Sequence, residues 1–310
     1  MAALQIVLPV FFVIALGALA RRRGLVSAEQ CAGMMTVVNG MLFPIMVFNA
    51  IFTSSFDVSA LAIVAFILAA HLTAMGIGRA LARFTGPEHA AYSPYLMASV
   101  EGGNVCLPLY SAIVGAQYMG NVVLLDLACM LVVFLIVPAL VTRSTSGTTD
   151  IKTLALNLLR DPIVIAIVAG LLLNIAGLPG ALEHIGAYTL YSNVVSTATA
   201  PIVTCILFNI GFNFSVERSS MGALARCIGL RVVFMAMVIV LFFVLFPQQV
   251  ADPVFRTLVP LYFMCPPALV LSSVLEPLTR GEKGAGFVSA FISLYMVVTL
   301  VVFSVLAVIA

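Results

Sequence analysis

The sequence predicts an all-α polytopic membrane protein, with ten transmembrane helices in a 5+5 inverted repeat and interruptions in spans four and nine. Three observations predict it. Of 310 residues, 63% are hydrophobic and only 8% charged, where a soluble domain holds roughly 25% charged, and the mean hydropathy is +1.21. Thirteen of the 14 Lys and Arg residues fall in alternate connections between apolar runs. The two halves also carry prolines and glycines in the same order.

A spanning helix needs about 20 mostly apolar residues. With charges and turn residues as punctuation, ten runs qualify. The first, 4–20, is closed by Arg21, Arg22 and Arg23. The positive stretch follows the apolar run rather than preceding it, and no plausible cleavage site is present, so it reads as a span rather than a signal peptide. The second, 34–53, contains Pro44. The third, 58–82, contains His71 and ends among Arg79 and Arg83. The fourth, 92–114, holds SVEGGNVCLPLY, and the fifth, 119–141, holds Asp126. The polar stretch RSTSGTTDIK follows, and 143–157 is read as a connecting loop. Spans six to ten are 158–177, 187–212, 224–246, 254–275 and 285–309. The halves are therefore 1–142 and 158–310.

Cytoplasmic connections are rich in Lys and Arg. The basic groups are Arg21 to Arg23; Arg79 and Arg83; Arg143, Lys152 and Arg160; Arg218, Arg226 and Arg231; and Arg280 and Lys283. Only Arg256 lies on the other side. This places both termini outside and the basic connections in the cytoplasm.

LPVFFVIALGALARRRGL (8–25) aligns with DPIVIAIVAGLLLNIAGL (161–178), matching Pro9 with Pro162, Gly17 with Gly170 and Gly24 with Gly177. FPI at 43–45 meets API at 200–202. VCLPL at 105–109 meets MCPPA at 264–268, with Cys106 on Cys265 and Pro108 on Pro267. Five spans per half is an odd number, so the second half enters the membrane inverted, as in many secondary transporters.

Within spans four and nine, Gly102, Gly103 and Pro108, and Pro260, Pro266 and Pro267, interrupt the helix. Non-helical backbone at membrane depth survives only against protein or a water-filled cavity, and paired interruptions point to a transport site. Half-helix N-termini receive an anion without a fixed cation. The candidate substrate residues are Gly103, Asn104, Val105, Cys106 and Pro108 in span four, and Cys265, Pro266 and Pro267 in span nine. Asn39 and Asn209 are added as polar side chains of spans two and seven. No Lys or Arg is read as lying mid-span. Glu101 and Asp126 are the candidate ion-coupling residues, for Na+ or H+, since intramembrane carboxylates are functional by default. On this reading Glu101→Gln stops ion-driven accumulation while substrate exchange survives in part. His71 is read as a packing residue.

The ten-span plan, FPIMVFNAIF in span two and GGNVCLPL in span four resemble the auxin efflux carrier family. Its bacterial members include malonate, malate and other small-carboxylate carriers, and it belongs with bile-acid/sodium symporter-like folds. The resemblance covers nearly the whole chain. It implies a scaffold of spans one, two, six and seven and a mobile domain of spans three to five and eight to ten. Spans four and nine would cross as broken helices, and a homodimer would form through the scaffold. The chain lacks the large cytoplasmic loop of the plant hormone carriers. It has Cys-Pro-Pro in span nine where those carry Asn-Pro, which favours the bacterial carboxylate branch.

The expected function is secondary active transport of a small organic anion across a bacterial inner membrane, elevator-type and cation-coupled. The alternatives are a sodium-coupled bile-acid-type symporter and, less favoured, a channel, which needs a continuous polar lining. An enzyme is not expected, because His71, His89 and His184 are scattered without HExxH or CxxC, and no cofactor is expected. The six cysteines read as packing residues. A net charge of +2 without a basic, aromatic-interleaved run excludes nucleic acid as a partner.

Overall fold

The computed structural model describes residues 2–53, 58–146, 151–214, 221–279 and 282–309, and all regular structure among them is helical. Seven helices are long and apolar enough to cross a membrane: Leu4–Arg23, Ala28–Phe52, Ala60–Ala80, Ala116–Thr145, Tyr188–Asn213, Met221–Leu245 and Gly284–Ile309. Pro162–Ile175 and Leu178–His184, bent by 61°, form an eighth if taken together. The chain is a polytopic integral membrane protein.

The other two expected spans are not continuous helices. Residues 92–114 form Ser93–Met97, a non-helical stretch and Gly102–Val114. Residues 254–275 form Pro253–Phe263, a stretch through the Pro-Pro pair, and the short helix Leu271–Val274. The first break falls at 98–101, just ahead of Gly102, so Gly102 to Pro108 open the second half-helix.

Pro108 has a different effect. Three π-helical turns, Val38–Leu42, Gly102–Cys106 and Val132–Ile136, each end two residues before a proline: Pro44, Pro108 and Pro138. A proline lacks the N–H of an i→i−4 bond, and its ring collides with the carbonyl four residues back. Widening the preceding turn removes the collision without ending the helix.

Several boundaries move. Span two begins at Ala28 rather than 34, because Ser27 and Gln30 form a reciprocal capping box, with bonds of 3.1 and 2.9 Å. Span six begins at Pro162 rather than 158. Asp161 caps it by accepting from the Ile163 N–H at 2.8 Å, with the proline at the first helical position. The connection 143–157 is largely helical: Val137–Ser146 takes its start and Ile151–Arg160 its end. Only 147–150 within it lie outside the described residues. Arg226 and Arg231 lie within helix Met221–Leu245, not in a connection. Arg218 and Arg280 lie outside the described residues, as does the side chain of Lys283.

The chain divides into two compact units. One comprises Leu4–Asp57 and Leu156–Phe214; the other comprises Val58–Ala155 and Ser215–Ala310, with Met1–Ala3. In the first unit glycines set the helix spacing. A Cβ on Gly17 would overlap the Phe208 carbonyl, one on Gly211 the Ile14 carbonyl, and one on Gly170 would stand 2.9 Å from the Phe48 carbonyl. Small residues of this kind let membrane helices approach backbone to backbone. Arg21 Nη1 donates to the Phe212 carbonyl at 3.0 Å, and Asn174 Nδ2 to the Phe52 carbonyl at 2.6 Å.

In the second unit, His89 sits between helices Ala60–Ala80 and Ser93–Met97, outside the spans. Its Nδ1 is 2.6 Å from the Tyr92 hydroxyl, and its ring stacks on Phe287 with centroids 3.9 Å apart. Burial pushes its pKa below the ordinary 6.5, partly opposed by Glu88. A depressed histidine contributes stability above its unfolded pKa and loses it as pH falls, since the unfolded chain takes up the proton more readily. The melting temperature is thus expected to drop on acidification from pH 7.5 to 5.5. The drop should be smaller in His89→Gln; an equal drop in both proteins assigns the effect elsewhere.

Candidate functional site

The two breaks of the second unit meet. The Glu101 N–H donates to the Pro266 carbonyl at 2.8 Å. The Glu101 carboxylate bridges both segments: Oε1 accepts from the Asn104 N–H and from Asn104 Nδ2, each at 3.0 Å, and Oε2 accepts from the Leu269 N–H at 2.6 Å. The Ser99 hydroxyl oxygen accepts from the Ala268 N–H at 3.2 Å. Cys129 both accepts from the Val100 N–H and donates to the Val100 carbonyl, at 3.2 Å each. Cys106 and Cys265 are both fully buried. Cysteines here are buried, as packing residues are, yet Cys129 also supplies hydrogen bonds that the non-helical backbone lacks.

Charge at the crossing comes from three side chains. Glu101 is 7% exposed and Arg231 0% exposed. Asp126, from helix Met119–Leu131, is half-buried and lies directly against Gly102, where any Cβ would overlap its carboxylate. A larger residue at 102 would have to displace the Asp126 carboxylate. Among the described residues one hydrogen-bond donor reaches Asp126: the Tyr262 hydroxyl, 3.2 Å from Oδ1 and 3.1 Å from the Leu125 carbonyl. Arg231 donates from Nη1 to the Leu96 carbonyl at 2.6 Å, and from Nη2 to the carbonyls of Ser99 at 2.6 Å and Cys265 at 3.1 Å. Its guanidinium carbon lies 4.8 Å from the centroid of the Tyr295 ring.

Ten of the twelve candidate residues fall in this unit, and the breaks bring Glu101, Gly103 to Cys106, Asp126 and Cys265 to Pro267 together. Pro108 lies further along the same half-helix. The amides first expected to receive an anion are partly occupied from within, since Asn104 and Ala268 donate to Glu101 and Ser99. Gly102 and Gly103 precede the first intrahelical bond of their segment, as helix-opening amides do. The Asn104 Oδ1 atom is buried without a partner. Asn39 and Asn209 belong to the other unit. Asn39 is half-buried in the π turn Val38–Leu42, and Asn209 Oδ1 accepts from Cys31 Sγ at 3.4 Å and Asn213 Nδ2 at 2.6 Å. His71 is buried, with Nδ1 2.7 Å from the Ile67 carbonyl and Nε2 unpartnered.

Arg231, Ser99 and Tyr262 are what sequence reading missed. Assigning Arg231 to a cytoplasmic group concealed it, although it lies inside the run 224–246 and an intramembrane arginine is a functional signal in itself. Nothing in the spacing of Ser99 or Tyr262 marks them. Comparison with protein-family models and with curated proteins gives no match for this chain.

Proposed function

We propose that this chain is a secondary active transporter of a small organic anion, a malonate- or malate-like carboxylate. It works by alternating access of the elevator type in a bacterial inner membrane. Ten spans form a 5+5 inverted repeat, with spans four and nine crossing and both termini outside, as in the auxin efflux carrier family that the sequence resembles. The observation carrying this reading is the pair of interruptions, one in each half, bonded to each other through Glu101 and Pro266. The glycines support the repeat. Gly17 of span one packs on span seven, and its match Gly170 of span six packs on span two, which is one contact made twice. The division of the chain groups spans one, two, six and seven apart from the others, as an elevator's scaffold and moving part require.

The amides opening the half-helix at Gly102 and Gly103 suit a carboxylate. The neighbouring Glu101 and Asp126 would repel it, so a cation, Na+ or H+, offsets their charge. Glu101 already receives three N–H bonds, whereas Asp126 has one donor, which makes Asp126 the better carrier of the coupling ion. Asp126→Asn is expected to retain counterflow exchange and lose gradient-driven accumulation. Loss of both would remove Asp126 from coupling.

The direct test is flux in proteoliposomes against a panel of mono- and dicarboxylates, with sodium and pH varied. Saturable uptake with counterflow is expected. Absence of counterflow for every acid overturns the reading. Orientation is tested with a cysteine at Thr148, outside the described residues. An impermeant thiol reagent is expected to leave it unlabelled in intact cells, and labelling inverts the topology. Pro267→Ala is expected to reduce transport far more than protein level by letting the helix extend across the break. Normal transport in that variant would remove the broken helix from the site.

A further inference from the structure

Arg231 is the one buried Lys or Arg among the described residues of its unit; Arg79, Arg83, Arg143, Lys152, Arg226 and Arg256 are all exposed. It stands 10 residues into helix Met221–Leu245, about 15 Å along its axis. A charge at such depth costs about 2.5–3.5 kcal/mol on insertion scales, so its placement needs compensation. No carboxylate supplies it: among the described residues no acidic side chain bonds to the guanidinium. The compensation is three backbone carbonyls and an aromatic face.

Those carbonyls are not arbitrary. Leu96 belongs to the half-helix Ser93–Met97, Ser99 to the break that follows it, and Cys265 to the break that follows Pro253–Phe263. They are carbonyl ends of two interrupted helices, each with its last acceptors unsatisfied and a partial negative charge. A planar guanidinium with a fixed fork of donors reaches carbonyls of both segments at once; a flexible ammonium does not hold that geometry. The complementary N–H ends are held from the other side by Ser99 and Glu101.

We infer that Arg231 is the positioning residue of the crossing: it fixes the two breaks against each other, and through them the half-helix amides that receive the substrate carboxylate. The inference rests on the transport reading for the identity of the ligand, though not for the clamp itself. Both terminal nitrogens of Arg231 donate to carbonyls of the breaks, while its buried Nε has no partner.

The test uses the full-length protein in nanodiscs and two measurements, beginning with hydrogen exchange without any substrate. In Arg231→Lys, which keeps the charge, exchange in peptides covering 98–106 and 264–270 is expected to accelerate about tenfold, with peptides from 4–52 unchanged. Arg231→Met should accelerate it further. If that variant does not fold, Tyr295→Leu, which removes the aromatic face, replaces it as the second variant and should show the same pattern more weakly. Unchanged exchange at both breaks in Arg231→Lys overturns the clamp, and so does acceleration spread over every peptide, which marks general destabilisation. The second measurement is counterflow with whichever carboxylate the flux panel identifies. The half-saturation concentration should rise about tenfold in Arg231→Lys, with the maximal rate little changed. A raised half-saturation concentration with unchanged exchange makes Arg231 a substrate ligand instead. Altered exchange with an unaltered half-saturation concentration rejects the positioning role. If no carboxylate is transported, the proposed function fails while the exchange result still decides the clamp.

Discussion

Glu101→Gln is expected to abolish exchange and accumulation together. From sequence alone the amide keeps the shape and loses only the charge, so exchange should survive at least in part. The structure changes that expectation, because the two carboxylate oxygens accept three N–H bonds from both sides of the crossing. A glutamine has one acceptor oxygen. Its NH2 group must face either the Asn104 donors or the Leu269 N–H, leaving a donor unpaired beside another donor. A buried unpaired donor costs about 1–3 kcal/mol, and the lost charge-assisted bonds are worth as much again. The Leu269 amide then has no reason to stay at the crossing. Transport in both modes should fall to background, and the melting temperature should drop even without substrate. Exchange within about twofold of the parent protein would show that the bridge is dispensable.

Gly211→Ala is expected to have the largest effect on the fold. The added Cβ meets the carbonyl of Ile14, and a backbone oxygen has no rotamer through which to move aside. Overpacking by a single methyl group costs about 1–3 kcal/mol where side chains can adjust, so this substitution belongs at the upper end or beyond. Gly17→Ala is its counterpart across the same helix pair, against Phe208. Gly33→Ala is the control in the same unit, since nothing stands within 4 Å of the position. The yield of monodisperse protein and its melting temperature should fall sharply for Gly17→Ala and Gly211→Ala and stay level for Gly33→Ala. Equal behaviour of the three variants would mean that the helices are not in backbone contact.

Much of the architecture was legible because lipid imposes simple rules. Long apolar runs must be helical where no water can satisfy the backbone. Hence Met221–Leu245 and Gly284–Ile309 lie within a few residues of the runs 224–246 and 285–309. Boundaries moved where polar residues serve the helix instead of ending it, as Ser27, Glu29 and Gln30 do at the start of Ala28–Phe52. The interruption of the fourth run was legible in Gly102, Gly103 and Pro108, yet misplaced by several residues. A proline adjacent to a break and a proline that widens a π turn leave the same letter in the sequence.

What the sequence by itself determined is the solvent, the all-helical class, most of the long apolar helices and the presence of two interrupted segments. These depend on composition and on residues close together in the chain. Only the tertiary structure decided what the polar side chains do. Glu101 and Leu269 are 168 positions apart, Arg231 and Leu96 135, and Tyr262 and Asp126 136, and no local periodicity carries such a pairing. In a packed interior each donor takes whichever acceptor the packing brings near. The carboxylate of Glu101 caps the half-helix at Gly102 and reaches across to the Leu269 N–H, and an arginine assigned to a connection ties the two breaks.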